Sequence, residues 1–84
     1  MEELILELNE SETTDTFYRY LVKVKDDESN RIGGSVKIAV TSINDKITEA
    51  EIKEVLNFGS RFSKKEIEVL ASKERNRLLE EGWL

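Results

Sequence analysis

The hydrophobic periodicity of this chain changes near residue 45, and that change constrains the fold more than any other feature of the sequence. Before this point, apolar residues mostly alternate with polar ones, which is typical of β-strands with one buried face. After it, apolar residues recur every three or four positions, which is typical of amphipathic helices. A chain of 84 residues is the length of one small domain. The sequence therefore predicts a single domain over residues 1–84, with a β-sheet followed by helices.

Three segments of the first half predict strands. Residues 3–8 alternate leucines with glutamates and an isoleucine, and residues 16–25 are dense in aromatic and β-branched side chains. Residues 35–42 alternate valine and isoleucine with polar or small residues. Because the connections between these segments are short, we expect an antiparallel meander. Its predicted core face carries Leu4, Leu6, Leu8, Tyr18, Tyr20, Val22, Val24, Val36, Ile38 and Val40.

The connection over residues 26–34 is polar and ends in two glycines. Its acidic run starts like a calcium-binding loop, but Arg31 and Lys37 occupy the positions where that motif requires glycine and glutamate. Gly33 and Gly34 lack the neighbouring residues of a phosphate-binding loop. They predict a turn with positive φ or a β-bulge before the third strand.

Two capping boxes mark the second half. The segments T-E-A-E at 48–51 and S-K-K-E at 63–66 each place a hydroxyl three residues before a glutamate. In this arrangement the two side chains satisfy free N–H groups in the first turn of a helix. They predict helices over residues 49–58 and 64–81. The predicted fold is α+β, a three-stranded antiparallel β-meander followed by a C-terminal helix–turn–helix pair packed on one sheet face.

The chain contains no histidine, no cysteine and no proline. Without cysteine it forms no disulfide, no thiolate nucleophile and no thiolate-ligated metal site, and without histidine it lacks the usual proton shuttle near neutral pH. The remaining carboxylates, lysines and tyrosines show no catalytic spacing. We therefore expect no enzymatic activity, no catalytic residues, no metal site and no cofactor.

No segment predicts a signal peptide or a membrane span. The first residues carry no basic side chain, and no apolar run approaches the ~18 residues that cross a bilayer. We therefore expect a cytoplasmic protein that does not contact membranes.

The second predicted strand is apolar on both faces. If helices cover the face that carries Tyr20, an apolar set stays on the opposite face of the sheet. Antiparallel sheets tolerate a solvated face, so exposed apolar residues are one interpretation. The other is a protein interface, because small chains often gain burial by forming dimers. We expect an interaction or regulatory module that binds a protein partner or forms a homodimer. The predicted interface residues are Ile5, Phe17, Leu21 and Ala39.

The formal net charge of −5 belongs to the first half of the chain. Residues 1–45 contain ten acidic and five basic side chains, whereas the remaining residues contain eight of each. Opposite charges steer association. This asymmetry therefore favours a partner with a basic surface.

Nucleic-acid binding by the predicted helical pair is the alternative function. Two helices joined by a short turn that contains Gly59 loosely match a DNA-binding helix-turn-helix, although Ile67 and Leu70 fall outside its usual spacing. Glutamates interrupt the positive charge, which also fits a solvated helix face with ion pairs. The basic residues of this alternative site are Arg61, Lys64, Lys65, Lys73, Arg75 and Arg77.

Glu74 lies within the apolar stripe of the last predicted helix, between Ala71 and Leu78. A buried carboxylate is energetically unfavourable and would suggest a function. An 18-residue helix is ~27 Å long, as long as or longer than strands of six to eight residues, so its end extends past the sheet. We therefore expect a solvated Glu74.

Overall fold

A computed structural model of the chain describes residues 3–25, 30–58 and 62–83. In this part, four strands form one antiparallel sheet and one α-helix follows them. The sheet order is β1-β2-β3-β4, so each strand pairs with its neighbours in the chain. The elements are β1 (Glu3–Leu8), β2 (Phe17–Lys25), β3 (Asn30–Ile43), β4 (Lys46–Asn57) and α1 (Lys64–Glu81), with a short 3-10 helix at Glu10–Glu12.

The predicted three-stranded meander with a helix–turn–helix pair is wrong. Residues 49–58, predicted as the first helix, lie almost entirely in β4, and residues 35–42 are the C-terminal part of a longer β3 that begins at Asn30. The hydroxyl of Thr48 caps no helix and donates instead to the carbonyl oxygen of Thr41 on β3, at 3.3 Å. Gly59, predicted to end that helix, lies outside the described residues. The sheet therefore has a fourth strand, and α1 is the one helix packed on it in the described part of the chain.

Two β-bulges in β4 explain why its sequence looks helical. Ser42 pairs with Ile47 and Thr41 with Glu49, so Thr48 is an extra residue on β4. The same happens at Lys53, which lies between the pairs Ile38–Ile52 and Lys37–Glu54. Each extra residue shifts the inward and outward alternation by one position.

The core residues of β4 are consequently spaced three, two and three positions apart. Ile47 is buried, and Ala50, Ile52 and Val55 pack against the core. With the adjacent Leu56, the residues Ile52 and Val55 also match the i, i+3, i+4 pattern by which helices are recognised in a sequence. The bulges therefore give β4 a spacing of apolar residues that sequence analysis assigns to a helix.

A two-residue turn joins β3 to β4. Asn44 and Asp45 have positive φ values of 52° and 66°, the conformation of a type I′ hairpin turn, which these residue types tolerate. The sequence from Ile43 to Ile47 is therefore typical of a β-hairpin, which argues against the helix predicted over residues 49–58.

The last helix begins at the second capping box. The Oγ atom of Ser63 accepts the backbone N–H of Glu66 at 3.2 Å, and the Glu66 carboxylate accepts the backbone N–H of Ser63 at 3.1 Å. The prediction of this box and of a helix over residues 64–81 is therefore confirmed. Along α1, Ile67, Ala71 and Leu78 are buried against the sheet.

One face of the sheet and α1 enclose the core. Its buried residues come from β2, β3, β4 and α1, while Leu4 and Leu6 of β1 are half-buried at its margin. α1 packs mainly over β4 and touches β1 less. The buried residues of the cluster are Tyr20, Val22, Val36, Ile38, Val40, Ile47, Ile67, Ala71 and Leu78.

Gly33 forms a bulge in β3, and Gly34 allows β3 to pass close to the backbone of β4. Val22 pairs with Gly34 and Lys23 with Ile32, so Gly33 is the extra residue of a third bulge. A Cβ atom on Gly34 would overlap the backbone carbonyl oxygen of Leu56 and come within 3.4 Å of Ile67. The glycine prediction of a bulge is confirmed, and Gly34 is required by close packing.

We predict that Gly34→Ala lowers the free energy of unfolding by about 2 kcal/mol or more, because the added methyl group forces the β3 and β4 backbones apart. Urea unfolding measures this loss. Thr41→Ala, an exposed change on the same strand, should stay within about 0.5 kcal/mol of the wild type. Equal stabilities for Gly34→Ala and Thr41→Ala would contradict the close approach.

Candidate interaction surface

No helix or strand of the described residues covers the sheet face opposite α1, and we call this face the outer face. Its side chains alternate with those of the core. Strand pairing joins them into rows that run across the sheet from β1 to β4. The outer face carries Ile5, Glu7, Phe17, Arg19, Leu21, Lys23, Ile32, Ser35, Lys37, Ala39, Glu51, Glu54 and Leu56.

The four predicted interface residues lie on this face, but in two groups. Phe17 pairs with Ala39 at one end of the sheet. Ile5 pairs with Lys23, so it lies diagonally beside Leu21, which pairs with Glu7. The row that contains Arg19 separates the two groups.

The structure adds two residues to the second group. Leu56 lies in the same row as Leu21, through Ser35, and Ile32 lies in the same row as Ile5, through Lys23. We call Ile5, Leu21, Ile32 and Leu56 the outer apolar cluster. Ile32 is 54% exposed and Leu56 is 40% exposed. Both were missed because the sequence places Ile32 in a turn and Leu56 in a helix.

The charges of the outer face follow the strand order. Basic side chains lie on the two central strands and acidic ones on the two edge strands. Arg19 Nη1 lies 2.9 Å from Glu54 Oε1, and Lys23 Nζ lies 2.9 Å from Glu7 Oε2. Such partly exposed pairs contribute little stability individually, but they hold the long side chains flat across the sheet.

The end of the outer face that carries Phe17 has its own packing. The ammonium group of Lys37 lies 4.2 Å from the centre of the Phe17 ring. This is within the range of a cation–π interaction. Phe17 is nevertheless 37% exposed, so this end also presents apolar surface.

On the other side of the sheet, Glu74 is not solvated as expected. Its side chain is 17% exposed, and its Oε2 atom accepts the hydroxyl of the buried Tyr20 at 2.6 Å. Arg77 donates to both carboxylate oxygens from Nε and Nη2, each at 2.7 Å. The expectation was wrong because α1 lies over the sheet at this position and does not extend past it.

The environment of this pair shifts two pKa values in opposite directions. Burial, aided by the hydrogen bond to Glu74, raises the pKa of the Tyr20 hydroxyl far above its usual range. Burial also acts to raise the pKa of the Glu74 carboxyl, but the hydrogen bonds from Arg77 and Tyr20 outweigh it and leave that pKa below its ordinary value. Glu74 is therefore a charged anchor that links α1 to β2.

The basic residues of the alternative nucleic-acid site lie on more than one side of α1. Lys64 and Lys73 are nine residues apart, or two and a half turns at 3.6 residues per turn, so they lie on opposite sides of the helix. Lys65 and Lys73 line one groove, whereas Arg77 binds Glu74 and Arg75 donates to Asn76 at 3.1 Å. Arg61 lies outside the described residues. The segment predicted as the first helix is β4, so the helix–turn–helix geometry that favoured nucleic-acid binding is contradicted.

The described residues contain no group of three or more carboxylates placed to hold a metal ion. Within the same residues, no helix is both long enough and apolar enough to cross a membrane. Comparison of the chain with protein-family models, curated proteins and solved structures finds no match. The residues of the outer face are therefore the available basis for a functional proposal.

We predict that Glu74→Gln lowers the free energy of unfolding by about 1–3 kcal/mol at neutral pH, because it removes a buried charge that accepts three hydrogen bonds. The folded state lowers the pKa of this carboxyl, so its contribution is present above the unfolded pKa and is lost as pH falls through the folded one. The gap between the variant and the wild type should shrink below about pH 4.

Urea unfolding at neutral and acidic pH measures both effects, with the exposed Glu80→Gln as the matched control. A gap that stays constant down to acidic pH would contradict a charged Glu74 anchor.

Proposed function

We propose that the protein is a small non-enzymatic interaction module that acts through protein–protein contacts and associates with a second copy of itself through the outer face. The observation that carries this proposal is the outer apolar cluster, four aliphatic side chains in two adjacent rows of a sheet face that no helix of the described residues covers. The cytoplasmic location expected from the sequence is part of the same proposal.

The size of the outer face suits a modest interface. Four strands about 4.8 Å apart, each about nine residues long at about 3.3 Å per residue, present roughly 550 Å². Two such faces bury about 1,100 Å² in total, close to the lower limit for a specific protein interface. This supports a dimer that dissociates on dilution.

The charge pattern of the outer face favours a second copy crossed at a steep angle. In an aligned face-to-face packing, the basic central strands of the two copies would oppose each other. In a crossed packing near 90°, which sheets also adopt, an acidic edge strand of one copy runs over the basic centre of the other. Glu7 of one copy would then lie near Arg19 and Lys37 of its partner, and the outer apolar clusters would meet at the crossing point.

The face is also unsuited to a strongly basic partner. It carries both signs of charge, basic on the two central strands and acidic on the two edge strands, whereas Glu10, Glu12 and Asp15 lie in the connection between β1 and β2. The excess negative charge of the first half therefore adds little to the outer face. A surface that is balanced in this way complements itself.

We predict that Leu21→Lys lowers the mass in solution from that of a dimer towards that of one 9.7 kDa chain, because it places a charge at the centre of the apolar contact. Leu21 is only half-buried in the single chain and faces Glu7, so the fold should persist. Light scattering over a range of concentrations gives the mass, and circular dichroism checks the fold.

Ile43→Lys is the matched control, since Ile43 is an exposed aliphatic residue at the tip of the β3–β4 hairpin, beyond the ends of β1 and β2. It should keep the wild-type mass. A wild-type chain that is monomeric at millimolar concentration would refute self-association through this face.

A further inference from the structure

The two edges of the sheet are protected very differently. β4 contains the bulges at Thr48 and Lys53, and its first residue, Lys46, is bridged by Trp83. Bulges and charges are the usual devices that stop an edge strand from pairing with another chain. β1 pairs with β2 in unbroken register and has neither a bulge nor a covering segment among the described residues, where its protection consists of the charges of Glu3 and Glu7. Its outward N–H and C=O groups are therefore available to a further strand.

Apolar surface flanks β1 on the side of α1. Leu4, Leu6 and Leu8 point to this side, and Leu8 is 39% exposed. At the Leu4 end, a groove of about 290 Å³ lies between β1 and α1. Its walls are almost wholly apolar and are formed by Leu4, Phe62, Glu66, Val69 and Leu70. A strand added to β1 would cover both surfaces.

We propose that β1 pairs antiparallel with β1 of a second copy about a two-fold axis through Leu6, so that two sheets join into one of eight strands. Charge repulsion between the glutamates of β1 favours this register over its neighbour. An axis through Ile5 would place Glu3 directly opposite Glu7 of the other copy, which is unfavourable. An axis through Leu6 places Glu7 opposite Ile5 and Leu4 opposite Leu8.

The same register brings together the two apolar surfaces beside β1. Because Leu4 of one copy lies opposite Leu8 of the other, the groove at the Leu4 end lies next to the exposed Leu8 of its partner. Val69, which is 49% exposed on the rim of that groove, faces the same junction. Leu8 of each copy thus lies against the groove beside Leu4 of the other copy, at both ends of the paired strands.

The area of this contact is small, so we expect a weak affinity between the two copies. A six-residue strand is about 20 Å long, and a sheet with one helix layer is about 20 Å thick, so the junction presents roughly 400 Å² per copy. A total of about 800 Å² belongs to weak, reversible associations. The pairing should therefore be populated at high micromolar to millimolar protein and be lost on dilution.

The test uses the Leu21→Lys chain, so that association through the outer face does not contribute. Backbone amide chemical shifts are followed by NMR as the protein is diluted from millimolar to micromolar concentration. We expect concentration-dependent shifts at residues 4–8 and at Val69 and Leu70, with no change along β4. Adding Leu8→Lys should abolish these shifts, whereas adding Ile43→Lys should preserve them.

The outcomes separate this inference from the outer-face proposal. If the chemical shifts of β1 in the Leu21→Lys chain do not change with concentration, the edge pairing is overturned. This holds whether the edge of β1 stays free or pairs with a strand of another protein. The outer-face proposal is tested separately, by the mass that the Leu21→Lys chain loses relative to the wild-type chain at the same concentration. Persistence of the β1 shifts in the Leu8→Lys variant would also overturn the pairing, because that lysine lies within the apolar junction.

Discussion

In the described residues, one α-helix covers a four-stranded sheet, and the rest of the structure follows from that constraint. A sheet has two faces, and α1 packs along only one of them, mainly over β4. The buried cluster therefore forms on a single side, where Val36, Ile38 and Ile67 are fully enclosed. The other face keeps aliphatic side chains in contact with solvent. In a chain of 84 residues, with little apolar surface to spare, such a face is where further burial is available.

The part of the fold that depends on local pattern could be predicted from the sequence. β1, α1 and the capping box of Ser63 and Glu66 fall where the sequence places them. β4 could not be predicted from periodicity, because the extra residues Thr48 and Lys53 interrupt the alternation of apolar and polar residues along the strand. The turn at Asn44 and Asp45 was the available signal against a helix, and it concerns backbone conformation, which hydrophobic spacing does not register.

The Glu74 anchor and half of the outer apolar cluster depend on contacts between distant segments. Tyr20 and Glu74 are 54 positions apart, so nothing local indicates that the carboxylate meets a buried hydroxyl. Ile5 and Leu21 were predictable from the alternation of their own strands. Leu56 joins them only because β4 exists and pairs with β3 in the observed register. The missed strand thus removed Leu56 from the predicted surface, and the turn predicted over residues 26–34 removed Ile32.

Self-association through the outer face is the central property that we propose for this protein, and the absence of cysteine allows it to be measured directly. A Leu21→Cys substitution places a single thiol near the crossing point of two copies, and Ile43→Cys places one at the exposed hairpin tip. Treatment with a short bismaleimide should join two Leu21→Cys chains rapidly and leave Ile43→Cys mostly uncoupled. Equal and slow coupling of both variants would contradict the account.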